Sequence, residues 1–319
     1  MKRKALRKTL ITLSIIIVVL AGICWYAGIF MCNYALCPEQ HGQMLVEDRA
    51  KWESRVPGIM DWYDALHEEG LFKDTVILDR NGLKLHAVYA AAAVPDSAAG
   101  TAVLVHGYTD NHLCMMMLGR MYRDDLNWNV LLPDLHHHGL SEGDAIQMGW
   151  LDRLDVIKWI DVAHNIWSSD RMVVHGVSMG GATTMMVSGE ELPEYVRGFV
   201  DDCGYSSVWN QFAKELKEGF HLPPFPVLTS ANIVCKAKYG WGFKEASSLK
   251  QLAKCTRPML FIHGDSDDFV PTADVYKNFN AKTQGEKYLW VAPETEHAYS
   301  YINHPEEYTA QVREFLEKI

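Results

Sequence analysis

Val173-Val174-His175-Gly176-Val177-Ser178-Met179-Gly180-Gly181 is the stretch whose reading decides the fold. An apolar run reaches a glycine, passes a serine and leaves through two glycines into helix-forming residues 182–187. That order spells a buried strand, a tight turn and a helix. Residues 176–180 fit G-x-S-x-G, where small residues flank the serine because the turn is strained and backbones approach closely. Ser178 is therefore expected on a sharp corner with its hydroxyl exposed, beside a helix N-terminus that stabilises negative charge. An ordinary Gly-rich turn containing a serine has the same letters, so a base, an acid and oxyanion donors must be found elsewhere in the chain.

Outward from this turn, strands and helices alternate. Residues 75–79 and 84–89 flank Asn81-Gly82 and read as a hairpin. A small-residue loop follows at 91–100. Strands are expected at 102–105, 130–132, 198–200, 258–262 and 287–291, and helices at 114–124, 151–167 and 311–318. Near-continuous apolar strands alternating with helices imply a mostly parallel sheet covered on both faces, entered through an antiparallel hairpin. Before it, helical segments at 47–60 and 61–69 break at Pro57-Gly58 and offer Trp52, Trp62, Tyr63 and Leu66 for packing on the domain that follows.

The chain has 319 residues, 48% hydrophobic and 22% charged, which suits a large globular α/β domain. A net charge of −10 argues against a nucleic-acid-binding surface. The seven cysteines form no CxxC pair, so neither a zinc ribbon nor a dense disulfide framework is suggested. The N-terminus differs in kind. Lys2, Arg3, Lys4, Arg7 and Lys8 precede an apolar stretch at 10–30, interrupted only by Thr12 and Ser14. That matches the roughly 20 residues needed to cross a bilayer, and no A-x-A cleavage site follows. Ile23 before Cys24 is too bulky for a lipoprotein signal. An uncleaved anchor is expected, with a cytoplasmic N-terminus and the remaining chain outside, in the periplasm or at the cell surface if the source is bacterial. In such an oxidising compartment Cys235 and Cys255 have the option of pairing, but buried free thiols are the expectation.

Four motifs together resemble the α/β-hydrolase superfamily: His106-Gly107-Tyr108-Thr109, the turn at 176–180, the stretch 263–271 beginning His263-Gly264-Asp265-Ser266-Asp267, and Glu296-His297-Ala298. They stand in that family's order of nucleophile, acid and histidine. The resemblance covers about residue 72 to the C-terminus and is to serine esterases and lipases, with similarity to serine aminopeptidases. It implies an α/β-hydrolase fold with a mostly parallel sheet, helices on both faces and a small helical cap at about 206–257. The expected division is residues 1–33 as basic tail and transmembrane anchor, 34–71 as helical connector, and 72–319 as catalytic domain.

A serine hydroxyl is a poor nucleophile at neutral pH unless a base accepts its proton, and histidine suits that role. His297, in a loop after the last strand, is the preferred base. His304, before Pro305, is its rival. The family pattern H-G-x-x-D assigns the acid to Asp267. Asp268 should point elsewhere, Asp265 should bond within its turn, and Asp201 and Asp202 end an earlier strand where some relatives of the fold carry the acid. The resemblance gives the oxyanion donors as the backbone N–H groups of Tyr108 and Met179.

Residues 133–141 resemble the family's D-x-R-G-x-G-x-S loop, with His136 where arginine is usual and His137 where glycine is usual. Adjacent side chains diverge, so His136, His137 and His138 are not expected to form a metal site. No cofactor is implied. The expected activity is hydrolysis of a carboxylic ester through Ser178, Asp267 and His297, on a small or mid-sized acyl substrate that suits a modest cap. Trp209, Phe212, Phe220, Phe225 and Trp241 are candidates for lining its pocket. A serine peptidase or acyltransferase is the alternative within enzymes, and an inactive membrane-tethered binding protein the alternative outside them.

Overall fold

The computed structural model describes residues 2–38 and 43–319; the expected connector thus lies partly outside the described residues, at 39–42. Eight strands form one sheet: β1 (Phe72–Leu78), β2 (Lys84–Ala90), β3 (Thr101–Val105), β4 (Asn129–Pro133), β5 (Met172–Val177), β6 (Val196–Asp202), β7 (Met259–Gly264) and β8 (Lys287–Ala292). Their spatial order is β1-β2-β4-β3-β5-β6-β7-β8. The β1–β2 and β2–β4 pairs are antiparallel and every later pair is parallel. Strands β3, β4, β5 and β7 are buried along their whole length, as expected where helices cover both faces. Edge strand β1 alternates toward solvent instead.

Alternate residues of each strand feed the two cores, because side chains of a strand point to opposite faces. Val103, Val105, Val174 and Phe261 join one cluster, and Ala102, Leu104, Val173 and Leu260 the other. Chain direction across the sheet reverses around β3, with β4 on one side and β5 on the other. The loops leaving β3 and β5 therefore diverge and open a crevice at the carboxyl edge of the sheet. That crevice holds Tyr108 and Ser178.

The helices are α1 (Lys2–Leu36), α2 (Gln43–Arg55), α3 (Ile59–Glu68), α4 (Met116–Arg120), α5 (Asp152–Trp167), α6 (Met179–Val187), α7 (Val208–Phe220), α8 (Val227–Tyr239), α9 (Ser248–Leu252), α10 (Ala273–Ala281), α11 (Ser300–Asn303) and α12 (Pro305–Glu317). The helix expected over 114–124 is a composite. A 3-10 turn at His112–Met115, whose Leu113 N–H bonds the Asn111 carboxamide oxygen at 3.0 Å, leads into α4 and then a π-helical turn at Met121–Asp125. The terminal helix begins earlier than expected, with Pro305 in its first turn and Glu306 and Glu307 beside it, where a missing N–H is harmless and negative charge is favoured. In the connector, Trp52 and Tyr63 are buried against the domain, and Trp62 Nε1 donates to Asp124 at 2.7 Å.

Helix α1 is long and apolar enough to cross a membrane. It continues past the expected end of the anchor at residue 33, and its last turns dock on α8. A Cβ at Gly28 would fall 2.7 Å from the backbone carbon of Ser230, so only glycine permits this close crossing. Cys32 and Leu36 are fully buried there. The final carbonyls of a helix lack partners within it. Here Ala35 O accepts the Tyr108 hydroxyl at 2.9 Å and Leu36 O accepts the Ile146 N–H at 2.7 Å. All seven cysteines are free thiols, so Cys235 and Cys255 do not pair. Cys235 lies within hydrogen-bond reach of Cys32, and Cys255 Sγ bonds the Arg257 carbonyl at 3.4 Å.

Candidate active site

Ser178 sits between β5 and α6 with φ 59° and ψ −116°, a left-handed conformation that is strained for a residue with a side chain. Two glycines make the turn feasible. A Cβ at Gly176 would lie 2.0 Å from Gly180 O, and one at Gly180 would lie 1.9 Å from Val105 O. The Ser178 N–H is held by Asp202 O at 2.8 Å, and the Ser178 carbonyl accepts the Ala182 N–H at 2.9 Å. The strain is thus locked by backbone bonds, and the hydroxyl turns outward at the start of α6.

Ser178 Oγ lies 2.8 Å from His297 Nε2, and His297 Nδ1 lies 2.7 Å from Asp267 Oδ2. A carboxylate only accepts hydrogen bonds, so Nδ1–H donates to Asp267 and Nε2 is left to receive the serine proton. Asp267 is held from three further sides. Its Oδ1 accepts the N–H groups of Phe269 and Val270 at 3.0 and 2.9 Å, and Nε2 of fully buried His263 stands 3.1 Å from Oδ2. Burial alone would raise the Asp267 pKa, but the hydrogen bonds from His263 and His297 outweigh it and keep the carboxyl below its ordinary range. Burial likewise opposes charge on His263, yet the bond to Asp267 raises its pKa.

The rival residues are engaged elsewhere. His304 Nε2 bonds Pro293 O at 2.8 Å. Asp268 is exposed, and Asp265 accepts the Ser266 hydroxyl and the Thr295 N–H. Asp202 accepts the Tyr308 hydroxyl at 3.0 Å, and burial pushes its pKa up to about 6. Asp201 accepts only the Gly204 N–H at 3.1 Å among the described residues, and burial pushes it up to about 7.

The N–H groups of Tyr108 and Met179 both border the crevice beside Ser178 and make no hydrogen bond among the described residues. Met179 opens α6, where the first N–H groups have no helical partner. The Tyr108 loop is fixed on both sides. His106 Nε2 accepts the Leu135 N–H at 2.9 Å, and His138 Nε2 accepts the Thr109 N–H at 3.2 Å. The three consecutive histidines reach different neighbours. His136 faces Asp79, His137 Nδ1 bonds Gly143 O at 2.7 Å, and His138 serves the Tyr108 loop.

Asp134, two residues before the position where the resembling loop carries arginine, is held by two histidines from distant segments: His86 Nδ1 at 2.9 Å and His112 Nδ1 at 2.9 Å. Burial would raise the Asp134 pKa, but these partners hold it well below the carboxylate range. Nothing in the spacing of residues 86, 112 and 134 signals that they meet.

Two cavities flank Ser178. One, of about 620 Å³, is lined by cap residues such as Phe212, Leu216 and Leu228 and by Met31, Ala35 and Pro38 at the end of α1. The other, of about 270 Å³, is bordered by His297, Tyr299, Arg55, Trp52 and Thr109. Of the aromatic candidates for the pocket, Phe212 and Phe220 line the larger cavity. Trp209, Phe225 and Trp241 do not: Trp241 is buried in the core beside Phe243, and Phe225 is 74% exposed.

Residues 142–319 match the prolyl oligopeptidase family. The uncharacterized protein YqkD of Bacillus subtilis (strain 168) is 30% identical over 226 residues, spanning 70% of this chain and 73% of YqkD. Among solved structures, the Pyrococcus furiosus esterase Pf2001 superposes with a TM-score of 0.61 at 23% identity, covering 77% of this chain and 92% of the esterase. The Pyrococcus horikoshii acylaminoacyl peptidase gives a TM-score of 0.59 at 15% identity, over 79% of this chain and 43% of the peptidase.

Proposed function

The chain belongs to the prolyl oligopeptidase family and is an α/β-hydrolase; from that premise we propose that it hydrolyses a carboxylic ester through a Ser178–His297–Asp267 triad. The observation that carries this reading is the unbroken chain of short contacts from Ser178 Oγ through His297 to Asp267. Ser178 attacks the acyl carbonyl as its proton passes to His297 Nε2. Asp267 keeps the proton on Nδ1 and stabilises the imidazolium. The N–H groups of Tyr108 and Met179 receive the developing oxyanion, each contributing on the order of 3 kcal/mol in the transition state. His297 then returns the proton to the leaving alcohol, and water, activated by the same imidazole, releases the acyl-enzyme.

The two cavities divide the substrate. The leaving group takes its proton from His297, so it belongs in the smaller cavity, which His297 borders. The acyl group then occupies the larger, apolar one. Ser178→Ala is expected to abolish both fluorophosphonate labelling and turnover of p-nitrophenyl esters; undiminished turnover would falsify the assignment. The family match and the likeness to an acylaminoacyl peptidase favour amide cleavage as the second reading. Faster turnover of aminoacyl amides than of matched esters would select it.

Helix α1 serves in this reading as a retained anchor. Its last turns are buried against α8 and wall the larger cavity, so cleavage after the apolar stretch would remove part of the site. The basic residues at its start place the N-terminus in the cytoplasm and the catalytic domain on the other side. A periplasmic-type reporter fused after Ile319 should be active and a cytoplasmic one silent; the reverse pattern overturns the orientation.

A further inference from the structure

The larger cavity is walled by the same helix that is apolar and long enough to span a bilayer. Along α1, Leu10, Ile17, Leu20 and Ile23 are exposed, whereas Cys32 and Leu36 are buried against the domain. The change falls near Phe30, where the apolar stretch ends. Met31, Ala35 and Pro38, which face the cavity, follow within two to three turns. At about 1.5 Å per residue, Ala35 lies about 8 Å beyond Phe30. That is the outer edge of the lipid headgroups, which add some 5–7 Å to each side of the hydrocarbon core.

The rim of the cavity is aromatic and continuous with the span. Phe30 stacks on Tyr34 at 6.3 Å, and Tyr34 meets Phe220 of the cap edge-to-face at 5.5 Å. Tyr34 and Phe220 both line the cavity and are both exposed outward, so they form its threshold. Beside them, the turn between α7 and α8 presents Leu222 and Phe225 to the exterior, 40% and 74% exposed, and α8 presents Ile233. Trp25, Tyr26 and Phe30 on α1 are exposed as well, so the elements that wall the cavity, α1, α7 and α8, all carry exposed apolar and aromatic side chains. In a water-soluble enzyme such a surface is a liability; at a membrane interface it is the expected belt.

We propose that the substrate is an acyl ester dissolved in the membrane, whose acyl chain passes from the leaflet across the Tyr34–Phe220 threshold into the larger cavity. This rests on the serine-hydrolase reading above and adds the substrate class to it. A chain entering here leaves one apolar medium for another, so little of its surface meets water on the way. Its carbonyl stops at Ser178, at the floor of the cavity, and the polar alcohol portion lies on the His297 side, within the headgroup layer. The expectation of a small or mid-sized acyl substrate, drawn from the shortness of the cap, is thereby extended to longer chains: helix α1 completes the pocket that the cap alone would leave open.

The test uses the full-length chain in phosphatidylcholine–phosphatidylglycerol proteoliposomes. Methylumbelliferyl oleate, which partitions into the bilayer, is compared with methylumbelliferyl acetate, which stays in water. Wild type should turn over the oleate with a kcat/KM at least about tenfold above the acetate. Leu222→Asp and Phe225→Asp, which touch neither cavity wall, should lower oleate turnover about tenfold while acetate turnover and fluorophosphonate labelling hold. Labelling also reports that these variants are folded. Ser178-dependent acetate turnover without preference for the oleate overturns the proposal and leaves the hydrolase reading standing, as does equal loss, or no loss, on both substrates in the two variants. Acetate turnover that survives Ser178→Ala overturns the hydrolase reading itself.

Discussion

At Ser178 the chain tolerates a strained backbone because Gly176 and Gly180 leave no Cβ in the way, and the proposed triad partners His297 and Asp267, with His263 behind them, reach that corner. That His297 and Asp267 would come within reach of Ser178 was legible from motif and order. His263 was legible as a loop-bonding residue, but its 3.1 Å contact with Asp267 was not, because that contact depends on how the 263–271 loop curls back on itself. Asp201 offers a test of buried charge. A Cβ at Gly181 or Gly204 would fall 2.4 or 2.3 Å from its Oδ1, and its Oδ2 has no partner among the described residues. Burial raises its pKa from the ordinary value to about 7. A carboxyl whose folded pKa exceeds its unfolded one binds more protons in the native state, so stability falls as pH rises from about 4 to about 7. Asp201→Asn should flatten that decline, raising the urea midpoint at about pH 8 relative to wild type while changing it little at about pH 4. A pH profile of the midpoint parallel to wild type would remove Asp201 as its source.

The element that matters most is the β5–α6 unit, and its tolerance for side chains is small. A Cβ at Gly180 would meet Val105 O at 1.9 Å and His106 O at 2.7 Å, both backbone atoms of the strand that feeds the Tyr108 loop. Neither can move without breaking β3–β5 pairing, so Gly180→Ala should destabilise the fold by about 3 kcal/mol or more, measured by thermal unfolding. Strand positions were legible because buried parallel strands are near-continuous apolar runs bounded by loops. The 112–125 segment was not read correctly. Its apolar residues fit one helix, and the switch through 3-10, α and π geometry is set by packing on the sheet, to which Met116, Met121 and Tyr122 are wholly buried.

At the scale of the whole molecule, α1 is both long and apolar enough to cross a membrane and a wall of the larger cavity. Its end gives Ala35 O to the Tyr108 hydroxyl, on the loop whose Tyr108 N–H is the proposed oxyanion donor, and it docks on α8, where Leu228, Ala231 and Cys235 are buried. Removing residues 1–38 should therefore lower the melting temperature by several degrees and reduce turnover even of short soluble esters, rather than simply release an active domain. A truncated enzyme with wild-type melting temperature and kcat would mean that α1 is only a tether. By itself the sequence determined the α/β alternation, the turn at Ser178, the order of the proposed nucleophile, acid and base, and an apolar stretch behind a basic flank, since each is written in local patterning or short motifs. The tertiary structure alone decided that His86 and His112 hold Asp134, that His263 contacts Asp267, and that α1 walls the larger cavity. Apart from His263 and Asp267, these partners stand far apart in the chain and meet only because the sheet reverses direction at β3 and α1 crosses α8 at a glycine, which no window of sequence records.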